Sequence, residues 1–272
     1  MNTKSYSMKS RDAFASLASK AVEILYRKNK KNYGISSIIN VESDKKYQKK
    51  DIDLVVHLKT TGDKALKTVY VEIKGDTYPS GDISPILGET DKGNFFFEVI
   101  SNDSKDPRTP GCFMYTESDI VYYLYLTTGT LYQLKTNEVR EWFKEYSGYN
   151  DDWLNHSISM DELLKTNSRL KKTSTVTDSE TKIMYNTWGI TIPIKTVLTE
   201  LGKKGIKVKK KDMLLEVIEA AASSGIIKQL LDKMPQDVKN RANDLWLKHH
   251  PDLPALTTLN QKINITPSTL EM

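Results

Sequence analysis

Apolar residues recur at three- and four-residue spacing over 11–31, where Phe14, Leu17, Ala18, Ala21, Val22 and Leu25 form one stripe. That period predicts an amphipathic helix with Ser10 as its N-cap and Gly34 just past its end. The period then changes. Residues 37–41 (SIINV) predict a short β-strand, and a polar, basic connection over 42–50 follows. Two runs, 52–58 (IDLVVHL) and 68–74 (TVYVEIK), predict a hairpin turning over 60–66 around Gly62-Asp63.

Residues 75–93 are rich in Gly, Pro, Ser and Asp and predict a long loop, of the kind that is usually functional. A strand is predicted over 94–100 (NFFFEVI) and another loop over 102–111. Residues 119–126 (DIVYYLYL) are apolar on both alternating faces, which predicts a strand covered on both sides. Residues 130–134 predict its hairpin partner and 136–146 a helix. A polar bridge with a short helix near 161–164 leads into four predicted helices over 194–201, 212–222, 226–234 and 236–248. The expected organisation is a first domain over 1–150, a linker over 151–182, a small helical domain over 183–250 and a tail over 251–272. The fold class is α/β, with a mixed central β-sheet flanked by helices and a smaller all-α C-terminal domain.

Composition narrows the function classes. No stretch approaches the roughly 18 apolar residues of a membrane span, and the polar start has no signal-peptide core. One cysteine, Cys112, excludes an internal disulfide framework and a cysteine zinc site, so a reducing, cytoplasmic setting is expected. The net charge of +5 is unevenly spread: residues 1–50 carry 12 Lys/Arg against 4 Asp/Glu, residues 51–100 carry 5 against 9, and residues 201–272 carry 12 against 8. A polyanion drawn to the basic ends would meet carboxylates in the middle unless cations neutralise them.

The hairpin supplies such carboxylates. Glu72 and Lys74, two apart on a strand, share a face, while Ile73 points the other way into the core. Asp53, opening the partner strand, can lie beside Glu72 across the ladder. Two close carboxylates repel, and a hard divalent cation relieves them. Mg²⁺ suits one or two carboxylates plus a phosphate oxygen, with the Ile73 backbone carbonyl available as a further ligand. The ion polarises a phosphate and acidifies water, and Lys74 stabilises developing charge. This equipment suits phosphodiester hydrolysis and needs no organic cofactor. Asp51 shares the Asp53 face and could ligate instead. Glu98, inside an apolar strand, needs a partner or a place in the site. His57 reads as a sheet histidine and Cys112 as a small core residue.

Asp-Leu-Val-Val (53–56), a turn, and Val-Glu-Ile-Lys (71–74), behind a first helix and strand, resemble the PD-(D/E)xK, or restriction-endonuclease-like, nuclease superfamily. The resemblance covers about the first hundred residues. It implies a mixed sheet flanked by helices, Mg²⁺-dependent DNA cleavage with Mn²⁺ as a substitute, Asp53 and Glu72 as ligands, and Lys74 as the catalytic ammonium. A homodimer cutting both strands is also implied. Ile52 stands where many members have proline. Members often place a further acid on the first helix, for which Asp12 and Glu23 are candidates, Asp12 being nearer the start. A junction resolvase, a nickase, an RNA-directed nuclease, or a non-catalytic DNA-binding or assembly protein with the same fold remain alternatives.

A second basic element is LGKKGIKVKKK (201–211), six lysines without an acid, between two amphipathic segments. Helix, extended basic segment, helix is similar in layout to SAP-like DNA-binding modules. Lys203, Lys204, Lys207, Lys209, Lys210 and Lys211 are therefore candidate phosphate contacts, as are Lys49 and Lys50 just before the Asp53 strand.

Overall fold

The computed structural model describes residues 8–59, 66–77, 93–177 and 184–259. In chain order its elements are α1 (Met8–Lys28), β1 (Ile35–Asn40), α2 (Lys45–Gln48), β2 (Leu54–Lys59), β3 (Leu66–Asp76), β4 (Asn94–Asn102), β5 (Thr109–Pro110), α3 (Cys112–Tyr115), β6 (Ile120–Tyr125), β7 (Thr130–Lys135), α4 (Thr136–Ser147), α5 (Met160–Thr166), β8 (Leu170–Thr177), β9 (Met184–Pro193), α6 (Ile194–Lys203), β10 (Lys209–Asp212), α7 (Leu214–Ser224), α8 (Ile227–Leu231) and α9 (Gln236–His249). Nearly all of the turn expected over 60–66, and the loop expected over 75–93 beyond Thr77, lie outside the described residues. Among the described residues no helix is long and apolar enough to cross a membrane.

The protein is α/β. Its central sheet has six strands in the order β1-β2-β3-β6-β7-β10. All neighbours are antiparallel except β3 and β6, which run parallel, so the sheet is mixed. Between β3 and β6 the chain leaves this sheet to form β4 and β5, which join β8 and β9 in a second, antiparallel sheet ordered β5-β4-β9-β8.

Strand β6 shows why the layers stack. Its alternate residues serve two cores. Tyr122, Leu124 and the following Leu126 pack with α1, α7 and α9, while Val121, Tyr123 and Tyr125 pack with β4, β9 and α4. A strand apolar on both faces must be covered on both. The first cover is helical, and the second is the other sheet together with α4. Each large apolar side chain fully buried this way contributes about 1.5–3 kcal/mol relative to exposure.

Three expectations change. The linker over 151–182 holds α5 and β8, and β8 is a strand of the second sheet. The C-terminal region is not purely helical. Over 184–193 the side chains of Trp188, Ile190 and Ile192 alternate inward and pair against β4, as in Glu98 opposite Gly189. The basic segment near 209 forms β10, whose backbone groups pair with β7, Lys210 opposite Tyr132. The free edge of β7 supplies partners that an isolated loop would have had to find in water. The described part of the tail packs on α9: Leu256 and Leu259 are buried, and Pro254 accepts a hydrogen bond from the Trp246 indole at 3.0 Å. Helices α6, α7 and α9 form where the apolar periodicity places them.

Candidate active site

The ladder between β2 and β3 sets the site. Leu54 pairs with Val71, Val55 with Tyr70 and Val56 with Val69. Past the end of β2 the Asp53 N–H still donates to the Val71 carbonyl, at 2.9 Å, which keeps Asp53 and the nearby Asp51 against the end of β3 that carries Glu72 and Lys74. The side-chain contacts agree. Lys74 is ion-paired to Glu72 and lies 3.3 Å from Asp51 Oδ2. Ile73, on the opposite face, is buried in the helical-side core.

β3 outruns β2, which leaves the Ile73 N–H without a strand partner. Asp53 Oδ2 accepts from it at 2.7 Å. The Ile73 carbonyl points to the same side of the strand as its N–H, toward Asp53. Asp51 adopts a left-handed backbone, φ 54°, uncommon outside glycine but most tolerated by Asp and Asn. Its carbonyl is held by the Thr116 hydroxyl at 2.8 Å. On the helical side Gly75 fixes the same stretch, because a Cβ there would lie 2.8 Å from Ala18 Cβ and 3.3 Å from the Phe14 carbonyl oxygen. α1 therefore sits directly on the strand that carries Lys74.

The second sheet completes the surroundings. Glu98 of β4 faces the same space, and its Oε1 accepts from the Cys112 N–H at 3.2 Å. Glu42, two residues past the end of β1, lines the same space. Together these groups line an open groove of about 1420 Å³.

Its electrostatics follow from crowding acids in a half-buried space. Burial pushes the Glu72 carboxyl well above its usual range; Lys74 opposes this, and Asp51 and Asp53 push further. Asp53 is raised by burial against the opposing Ile73 N–H and Lys74. Glu98 is raised by burial against the Cys112 N–H and Lys74, and Glu42 by burial and Asp53. Burial alone would lower Lys74, but Cys112, Glu72 and Asp51 outweigh it and hold the ammonium well above the ordinary lysine value. Burial pushes the Cys112 thiol up to about 12, so it makes a poor nucleophile at neutral pH.

Among the described residues no three His, Cys, Asp or Glu side chains form a closed metal cage. An Mg²⁺ site does not need one, since water and substrate complete its shell. The residues fit that ion. Glu72 Oε2 is buried with no hydrogen-bond partner, and Asp53, held against the Ile73 backbone N–H, offers hard carboxylate oxygens.

Asp53, Glu72, Ile73 and Lys74 are thus brought together. Asp12 lies within α1, and its side chain is outside the described part of the structure. Glu23 pairs with Arg27, away from the groove. The other lysines are elsewhere. Lys50 pairs with Glu117, Lys203 with Glu200 at 2.7 Å and Lys204 with Glu145. Lys210 sits 5.5 Å from the Tyr132 ring, and Lys211 donates to the Tyr33 hydroxyl at 3.1 Å. Lys49, Lys207 and Lys209 are exposed. None of these lysines lines the groove, and β10 lies three strands from β3, about 14 Å across the sheet.

Sequence reasoning had no signal for Glu42, which stands in a basic connection. Neither a protein-family model, nor a curated protein, nor a solved structure matches the chain.

Proposed function

We propose that the chain is a metal-dependent endonuclease that hydrolyses DNA phosphodiester bonds at the end of β3. The observation carrying this reading is the convergence of Asp53, Glu72 and Lys74 in an open groove where carboxylates outnumber ammonium groups. Glu42, Asp51 and Glu98 add to the excess. Such a surplus repels a phosphate chain unless a divalent cation balances it.

Asp53 and Glu72, with the Ile73 carbonyl, would hold Mg²⁺, with Mn²⁺ as a substitute. When bound, that ion supplies Lewis-acid polarisation of a phosphoryl oxygen and a water of lowered pKa. Lys74 works as a donor. Its ammonium is held between Glu72 and Asp51. It stabilises negative charge gathering on the phosphoryl oxygens and orients the attacking water. Asp51 holds Lys74 toward the groove, and α1 on Gly75 keeps the strand from shifting. Tight positioning of this kind matters, since a 1 Å misplacement costs about 10²-fold.

The test is digestion of supercoiled plasmid, linear duplex, branched DNA and RNA with Mg²⁺, Mn²⁺ or EDTA. Metal-dependent cutting by wild type, lost in Glu72→Ala and Lys74→Ala, is the expected result. A linear product alongside the nicked one would accord with a homodimer. Binding to DNA without cutting on any substrate would replace this reading by a non-catalytic DNA-binding protein.

A further inference from the structure

The second sheet carries a feature that the acid cluster does not use. Glu98 of β4 pairs with Gly189 of β9, and Gly189 pairs with Lys171 of β8. Directly opposed residues share a face, so this row runs from the acid cluster to the sheet's free edge over two strand spacings, about 10 Å. Phe96 and Thr191, opposed in the next row, lie on that face too. The inward face is different: Phe95 and Phe97 are buried against β6 and α4.

Phe96 is only half-buried, and its ring lies over Gly189, with Cζ 2.0 Å from where a Cβ would stand. The missing side chain lets an aromatic ring lie on the sheet inside a polar groove. Lys171, in that row, and Lys172, its neighbour opposite Trp188 on the other face of the edge strand, are exposed at the free edge and line the same groove. Among the described residues no carboxylate pairs with either. They differ in this from Lys50, Lys203 and Lys204, which already have acids.

We infer that this outer face of the second sheet, with its free edge, is the platform that holds one unpaired nucleic-acid strand across the acid cluster, Phe96 stacking a base and Lys171 and Lys172 gripping phosphates. The inference rests on the proposed hydrolysis for its direction and adds the substrate's form. A half-buried ring serves a strand whose bases are unstacked, since a duplex keeps its base faces covered. The charge order also fits. Phosphates contact cations at the rim, and the acid floor beneath Glu98 meets only the reacting group. The lysines of β10 then lie off the strand's path.

The experiment is anisotropy titration of the full chain, with Ca²⁺ in place of Mg²⁺ to balance the acid cluster, with a labelled single-stranded DNA of mixed sequence and with its duplex, at several salt concentrations. Wild type should prefer the single strand. The double variant Lys171→Ala/Lys172→Ala should weaken binding and flatten the slope of log K against log salt by about 1.4, at about 0.7 per lost single-strand phosphate contact. Phe96→Leu should weaken binding about tenfold with the slope unchanged, as expected for lost stacking. Lys228→Ala, an exposed lysine outside the groove, controls for general charge. Wild-type affinity and slope in the sheet variants overturns the platform, as does loss confined to Lys209→Ala/Lys210→Ala. If plasmid cutting persists meanwhile, the hydrolase reading stands without the platform. If the sheet variants lose binding but no metal supports cutting, the platform stands and the hydrolase reading falls.

Discussion

Two clusters of buried charge invite comparison. One is the groove cluster around Lys74. The other joins three helices: Lys28 of α1 lies 2.7 Å from Glu219 and 3.8 Å from Glu216 of α7, and His250, just past α9, sits 3.2 Å from the other Glu219 oxygen. Both contain a buried polar atom without a hydrogen-bond partner, Glu72 Oε2 in one and His250 Nδ1 in the other. An orphaned atom therefore does not mark a site by itself. Balance and access separate the two. In the helical cluster Lys28 and the His250 ring meet two acids, the Trp246 ring lies 4.3 Å from the His250 ring, and no member lines the groove. In the groove cluster the acids exceed the ammonium and open to solvent. The helical cluster ties three elements together, whereas the excess of acid around Lys74 is what the proposed cation would balance.

The largest break in this comparison is catalytic. Lys74→Ala or Glu72→Ala should lower metal-dependent cleavage by about 10²–10³-fold with folding retained, as for loss of an electrostatic group from a reaction centre. Glu219→Ala should leave cleavage chemistry intact but destabilise the fold by about 2–3 kcal/mol, because Lys28 and His250 lose their shared partner. Urea unfolding of both variants separates these effects. Equal stability losses in the two would erase the distinction. A third variant touches both clusters, since α1 carries Lys28 and rests on Gly75 beside Lys74. Gly75→Ala forces helix and strand apart and should cost about 1–3 kcal/mol, with a fall in cleavage beyond what unfolding explains.

The smallest effect is on pH dependence. The folded pKa values of Glu72, Asp53, Glu98 and Glu42 lie above their unfolded values. As pH climbs through the ordinary carboxylate range near about 4, the unfolded chain loses these protons first. The stability that these four groups contribute without metal is therefore greatest below that range and declines as pH rises toward the folded values. Thermal melts in EDTA should show Glu72→Gln flattening this decline, with Tm a few degrees above wild type at neutral pH. Added Mg²⁺ should raise the wild-type Tm there and do little for the variant. A variant with the wild-type slope would mean that Glu72 carries no excess charge.

Much of the site was legible because it is local. Glu72, Ile73 and Lys74 alternate on one strand, and the hairpin fixes Asp53 across from them. Asp51 could be placed on their face by the same rule, though its left-handed backbone could not be foreseen. Glu98 announced itself as a carboxylate in an apolar run, without indicating what it would meet. Glu42 carried no signal, since its place depends on where a polar connection crosses the sheet. For Lys171 and Lys172 the polar composition of 166–182 pointed to a bridge, and only pairing with β9 makes a strand of it.

From the order of its residues alone, this chain determined the elements whose periodicity is self-contained: α1, the β2–β3 hairpin, the doubly buried β6 and the C-terminal helices. Each reads from side chains a few positions apart, where strand and helix geometry permits one arrangement. Tertiary structure decided the rest. It paired β4 with β9 and β10 with β7, and folded one acidic strand end under a second sheet. Those pairings join distant segments by backbone hydrogen bonds common to all residues, so their choice depends on which faces find burial together rather than on any local pattern.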